Sequence, residues 1–147
     1  MIGAMAGSIG VWAAYRQHFN VTDAAISKLA VFCTSPAIRS PFYNFLTETI
    51  GTFAFIFAIL FIIAPSNSLG ALDALPVALL VLGIGLGLGG ATGYAINPAR
   101  DLGPRIMHAI LPMGKKGSSD WKYSWIPVLG PLVGGVLAAF VFMSLTK

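Results

Sequence analysis

Gly93-Tyr94-Ala95-Ile96-Asn97-Pro98-Ala99-Arg100-Asp101-Leu102-Gly103-Pro104 decides how the rest of the chain is read. It follows a long uncharged run and sets two charges among almost wholly apolar neighbours. Asn97 can cap a helix, and Pro98 suits the first helical position, where its missing N–H costs nothing. Arg100 and Asp101 then fall in the first turn. Met107, Ala109, Ile110 and Leu111 carry an apolar pattern on, until Pro112-Met113-Gly114-Lys115-Lys116 stops it. The expected helix, over residues 98–110, is roughly 18 Å long at 1.5 Å per residue. A hydrocarbon core of about 30 Å is too thick for it to cross.

Outward from this stretch the composition is that of a membrane protein. Of 147 residues, 10% are charged and 56% hydrophobic, and the mean hydropathy is +0.82. A soluble domain would carry about a quarter charged residues. The net charge of +4 comes from basic residues scattered singly or in the Lys115-Lys116 pair. That dispersal excludes the basic stripe interleaved with aromatics that a nucleic-acid face needs. Cys33 stands alone, so no internal disulfide is possible. Neither His18 nor His108 has a nearby cysteine or carboxylate pair, and no metal or cofactor is expected.

The apolar runs divide as follows. Residues 1–15 are uncharged, rich in small side chains, and end at the interfacial signature Trp12, Tyr15 and Arg16. They read as a partial span: the opening lacks the basic n-region of a secretory signal and resembles the inside of a transmembrane helix. Residues 17–44 read as a polar extramembrane loop, with Asp23, Lys28, Arg39, Pro36 and Pro41, holding a short helix over Ala24 to Phe32. Phe45 to Ala64 is long enough to cross a bilayer and carries one charge, Glu48. Its Phe53, Phe55, Phe57 and Phe61 are expected to pack or face lipid. Pro65 to Gly70 is a turn-rich connection. Ala74 to Thr92 is an uncharged second span whose later half holds Gly83, Gly85, Gly87, Gly89 and Gly90. In a bilayer such glycines permit close helix approach or leave space beside a pore. Residues 113–124 form a polar loop. Trp125 to Leu145 is the third span, with an aromatic belt at Trp121, Tyr123 and Trp125 and a small-residue face at Gly130 and Gly134.

The expected fold is therefore an all-α membrane protein, with residues 1–147 forming part of a single membrane domain. A half-length helix between two full spans is tolerated only where its non-helical backbone is buried in protein or lines a water-filled cavity. That points to a pore or a transporter site. Its start would expose backbone N–H groups and the positive end of a dipole. Arg100 sharpens the expectation, because a guanidinium near hydrocarbon is costly and faces a cavity. Its five donors would bind hydroxyl oxygens and repel cations. Arg100 and Asp101 are adjacent on the helix and do not face each other. Glu48 is open to two readings: a proton relay in a coupled carrier, or an acceptor for exposed amides of the re-entrant loop. No second carboxylate lies within a span to pass a proton on.

The stretch 93–104 resembles the second Asn-Pro-Ala box of the aquaporin family. Asp101 after the box resembles the aquaglyceroporin branch, the glycerol uptake facilitators. Glu48, the glycines before the box and Gly130-Pro131-Leu132-Val133-Gly134 fit the same family. The resemblance runs over essentially the whole chain, from the end of the third family helix through the sixth. It implies a passive channel in the cell membrane, without catalysis, for glycerol, other small neutral polyols and water. It also implies a homotetramer of full-length chains. By this likeness Asn97 donates its amide to solute at the pore centre, and Arg100 belongs to the narrow selectivity filter. Tyr94 takes an aromatic filter position. Gly85 stands where water-specific members carry histidine and so leaves room for glycerol. Asp101 lies behind the filter, Glu48 braces the re-entrant loop, and Pro98 and Ala99 complete the box that supports it.

The family carries two boxes, one in each inverted half. One Asn-Pro-Ala is present here, so both halves are expected to be needed to enclose a pore. The other reading is a transport-inactive membrane fragment that associates through its glycine-rich faces. Eight of the nine lysines and arginines lie in 16–44 and 100–124, which by charge alone puts those loops in the cytoplasm. The family likeness puts them outside, and we follow it, because early helices usually dominate orientation and Arg100 and Arg105 are not ordinary loop charges.

Overall fold

The prolines and charges that bound the apolar runs also start and stop the helices. A computed structural model describes residues 1–62 and 70–147. All but Gly70 of the turn read at Pro65 to Gly70, and the final two residues of the Phe45–Ala64 span, fall outside the described residues. Among the described residues all regular structure is helical: α1 (Ile2–Ala14), α2 (Arg16–Val21), α3 (Ala25–Phe32), α4 (Pro41–Ile62), α5 (Leu75–Thr92), α6 (Pro98–Ile110) and α7 (Ile126–Leu145), with a 3-10 turn at Gly70–Leu72.

Among the described residues, three helices are long and apolar enough to cross a membrane: α4 with 22 residues, α5 with 18 and α7 with 20. At 1.5 Å per residue they span about 33, 27 and 30 Å. They bury little of themselves within the chain; Leu86 of α5 is 80% exposed and Val136 of α7 is 70% exposed. Apolar side chains facing outward over whole turns are what lipid, or further protein within lipid, requires. The 13-residue α6 is about 20 Å long and reaches roughly two-thirds of the way through a bilayer core.

The segment expected as loop over 17–44 is more helical than that. α2 continues the first helix after a break at Tyr15, and its Phe19 is buried against Phe32 with ring centroids 5.7 Å apart. The polar residues Arg16, Gln17, His18 and Asn20 hid this turn from a hydropathy reading. α4 also begins four residues earlier than expected. Pro41 is not a loop marker but the first helical residue, where proline is favoured. The Ser40 amide donates to Asn44 Oδ1 at 2.9 Å, and Asn44 Nδ2 donates to the Ile38 carbonyl at 3.1 Å, closing that helix start.

Two close approaches set the frame for α6. Along α4 and α7, a Cβ at Gly134 would collide with the Thr49 carbonyl oxygen, and one at Gly130 would stand 2.8 Å from Glu48 Cβ. The two glycines let the helix backbones touch and fix the height of Glu48. Along α1 and α6, a Cβ at Gly103 would meet Ala4 Cβ at 3.1 Å. α6 is thereby held among α1, α3 and α7. An apolar cluster built on Phe19, Leu29, Phe32, Met107, Leu111 and Met113 closes over its C-terminal end.

Candidate functional site

The chain leaves α5 through Gly93, whose φ of +80° is left-handed and suits glycine at a helix C-terminus. Tyr94 (φ 40°) and Ile96 (φ 45°) are also in positive-φ conformations. Two such non-glycine residues so close together are costly, so something must hold them. Glu48 does: its Oε1 accepts from the Ala95 amide at 3.0 Å and its Oε2 from the Ile96 amide at 2.9 Å. The carboxylate is 1% exposed, and both oxygens are engaged. Each oxygen thus serves the loop as a hydrogen-bond acceptor.

Asn97 is the N-cap of α6. Its backbone is extended, and its Oδ1 accepts from the Ala99 amide at 2.8 Å. Pro98 takes the first helical position. Because Oδ1 faces the helix, the Nδ2 group is left as the outward donor, and it meets no acceptor among the described residues. Asn97 is exposed. None of the hydrogen bonds among the described residues uses the carbonyl oxygens of Tyr94, Ala95 or Ile96.

Arg100 is exposed as well. Its guanidinium carbon lies 4.5 Å from the centroid of the Tyr94 ring, and Nη1 donates to the Gly93 carbonyl at 3.2 Å. No carboxylate among the described residues pairs with it. The Tyr94 ring also rests on α5: a Cβ at Gly85 would stand 3.3 Å from Tyr94 Cζ. The space beside Gly85 is thus shared with the ring. The stacked pair has a cavity on either side of it. One, of about 190 Å³, is lined by Ala30 to Thr34, Arg100 and Pro104. The other, of about 360 Å³, is lined by Ala78, Val81, Leu82, Gly85, Leu86 and Tyr94.

Asp101 points the other way and is fully buried. Its Oδ2 accepts from the Thr34 amide at 2.8 Å and from Thr34 Oγ1 at 2.6 Å. Arg105, also fully buried, donates from Nε to Asp101 Oδ1 at 2.7 Å and from Nη2 to Asp101 Oδ2 at 2.8 Å. The remaining donors reach the carbonyls of Thr34 (2.9 Å), Ser119 (2.6 Å) and Asp120 (3.1 Å). All five guanidinium N–H groups are used. Ser119 is held a second time, its Oγ lying 2.8 Å from His108 Nδ1. The loop after α3 and the loop before α7 are thereby fastened to α6. Cys33, beside this knot, is buried; desolvation, only partly offset by Arg105, pushes its thiol up to about 12.

Sequence reading had brought Glu48, Tyr94, Gly85, Asn97, Pro98, Ala99, Arg100 and Asp101 forward, and these residues all lie along the loop 93–101 or on the faces of α4 and α5 against it. It missed Thr34 and Arg105 as the partners of Asp101. The four-residue spacing of Asp101 and Arg105 was the available signal. Nothing local marked Thr34.

Residues 1–142 match the profile of the Major intrinsic protein family. The chain belongs to that family. Glycerol uptake facilitator protein 3 of Lactiplantibacillus plantarum is 51% identical over 140 residues, which cover 95% of this chain and 58% of that protein. A probable glycerol uptake facilitator protein of Thermotoga maritima is 51% identical over 142 residues, covering 97% of this chain and 60% of that protein. Among solved structures, the aquaglyceroporin from Plasmodium falciparum superposes with a TM-score of 0.70 at 28% identity, over 92% of this chain and 57% of that one. The likeness to the aquaglyceroporin branch read from the sequence is borne out by these relatives, as is the all-helical membrane fold. The chain spans 58% and 60% of the length of the two curated relatives.

Proposed function

We propose that residues 1–147 form the second half of a passive membrane channel for glycerol and other small neutral polyols, with water, and belong to one membrane domain. The observation that carries this reading is the Arg100 guanidinium. It is exposed, unpaired with any carboxylate among the described residues, and stacked on Tyr94. Such a group offers fixed donors to hydroxyl oxygens beside an apolar wall and raises a barrier to cations. Asn97 Nδ2 adds a donor at the helix start, and the unused carbonyls of Tyr94, Ala95 and Ile96 add acceptors. A polyol's hydroxyls would follow this polar line while its carbon skeleton slides over Val81, Leu82 and Leu86. The dipole of α6, Arg100 and the cost of dehydration would turn ions and protons back. Glu48 serves the loop as an acceptor rather than as a relay, so no proton coupling is needed.

The test is stopped-flow light scattering on proteoliposomes. One set holds this chain; the other holds a version extended at its start by a first half with its own Asn-Pro-Ala box. Fast glycerol-driven swelling is expected only with the extended protein, and independently of a proton gradient. Equal flux through both would refute the need for two halves. Flux that follows the proton gradient would instead favour a coupled carrier using Glu48. If neither set carries glycerol, the chain is better read as an inactive fragment that associates through its glycine faces. Homotetramer formation by the extended protein is checked by cross-linking in the membrane.

A further inference from the structure

Gly85 is the glycine that family likeness singles out, but it is not the one the structure presses hardest. A Cβ at Gly89 would stand 2.6 Å from Tyr94 Cδ1 and 3.1 Å from Cε1. The corresponding closest approach at Gly85 is 3.3 Å, a distance a small shift can relieve. At Gly89 the ring itself would have to move. The contact is with the near edge of an aromatic ring one atom from its Cβ–Cγ bond, not with the far end of a flexible side chain. Tyr94 has little freedom to yield by rotation, since its backbone is in the positive-φ region and its neighbours Ala95 and Ile96 are fastened to Glu48. Arg100 also lies over the ring, 4.5 Å from its centroid.

We infer that Gly89 is a specificity-determining position: its missing side chain seats the Tyr94 ring, and the ring in turn places the Arg100 guanidinium that solute meets. Gly85 and Gly89 lie one helical turn apart and together make a flat bay on α5, in which the ring lies like a shim behind the arginine. A methyl group at Gly89 forces the ring from this seat and displaces the guanidinium stacked on it. Gly89 touches no solute itself; it is a positioning residue and acts only through Tyr94. Among the described residues, the other α5 glycines at 83, 87 and 90 meet nothing within 4 Å and do not share this role.

This inference rests on the proposed channel reading, and the experiment separates the two. In the extended protein, glycerol and water permeabilities are measured for the parent, Gly89→Ala, Tyr94→Ala, the double variant and the control Gly87→Ala. Absence of glycerol flux in the parent would sink the channel reading itself. Given flux in the parent, Gly89→Ala is expected to lower glycerol permeability about tenfold while lowering water permeability much less. Gly87→Ala should leave both unchanged. The decisive comparison is the double-mutant cycle: on the Tyr94→Ala background the ring is gone, and Gly89→Ala should then change the glycerol-to-water ratio by less than about twofold. An equal loss on both backgrounds, or no loss on the parent background, overturns the inference. If Gly89→Ala fails to accumulate in the membrane while the double variant does, the clash with the ring is real but its role is in folding, and the specificity claim falls.

Discussion

Arg100 and Arg105 lie on one helix, five residues apart and about 140° apart around its axis. Arg105 is fully buried and spends all five donors on protein acceptors. Arg100 is exposed and spends one, on the Gly93 carbonyl. The difference separates a structural cation from one kept in reserve. A buried guanidinium is stable only when every donor is satisfied and a carboxylate neutralises it, which the Asp101 pair achieves. Leaving four donors open makes sense only where something outside the chain will meet them. The helix is therefore two-sided, tied down on the Arg105 side and left open on the Arg100 side, which is the side the proposed channel would use.

The strongest way to break this division is Arg105→Ala. It strands Asp101 in the interior and releases the carbonyls of Thr34, Ser119 and Asp120. Removing one partner of a buried pair costs about 3–5 kcal/mol. A large drop in the detergent thermal midpoint of the extended protein is expected. Cys33 reports the same event locally. With its thiol pushed up to about 12, it is almost wholly protonated at pH 8 and should resist alkylation. Loss of the Arg105 charge alone would not lower the thiol; only exposure to water does, so faster labelling of Arg105→Ala at pH 8 reports that the knot has opened. The raised value also fixes the sign of its pH dependence. The native state keeps the proton that the unfolded chain loses above about 9, so this contribution to stability is complete below pH 9 and fades toward pH 12. Rapid labelling of the parent under native conditions would contradict the buried knot.

Glu48→Gln sharpens the comparison by testing the loop between the two arginines. An amide side chain has one acceptor oxygen, whereas the Ala95 and Ile96 N–H groups each take one from the carboxylate. One buried donor would be left unpaired, at a cost of about 1–3 kcal/mol. The thermal midpoint should fall by less than in Arg105→Ala, and hydrogen exchange at residues 95 and 96 should accelerate. Unchanged exchange there would mean that the positive-φ loop holds its shape without Glu48.

Much of this was legible in the sequence, for identifiable reasons. Helices α5 and α7 begin and end within one residue of the apolar runs, because the bilayer imposes its own length. The start of α6 was legible because Asn-Pro is a local signal read by the backbone itself. α2 was not legible: its stabilisation comes from Phe19 packing on Phe32, a contact across 13 residues that no periodicity over six residues reveals. The start of α4 was misjudged because proline both ends loops and opens helices. At the site, the box residues stood out by type and spacing. Thr34 did not, since its partners Asp101 and Arg105 lie far along the chain.

Arg100→Ala should have the smallest effect on stability and so complete the contrast with Arg105. It removes one hydrogen bond at 3.2 Å and a stacking contact that at an exposed site is worth about 0.5–1 kcal/mol. No buried group is orphaned, because the Gly93 carbonyl can turn to water. The thermal midpoint of the extended protein should therefore stay close to that of the parent, while the barrier to cations falls and discrimination among polyols relaxes. A proteoliposome assay reading cation leak beside glycerol flux distinguishes the cases. A variant as unstable as Arg105→Ala would make Arg100 a second structural cation. A stable variant with unchanged solute discrimination would remove the reason for leaving its donors open.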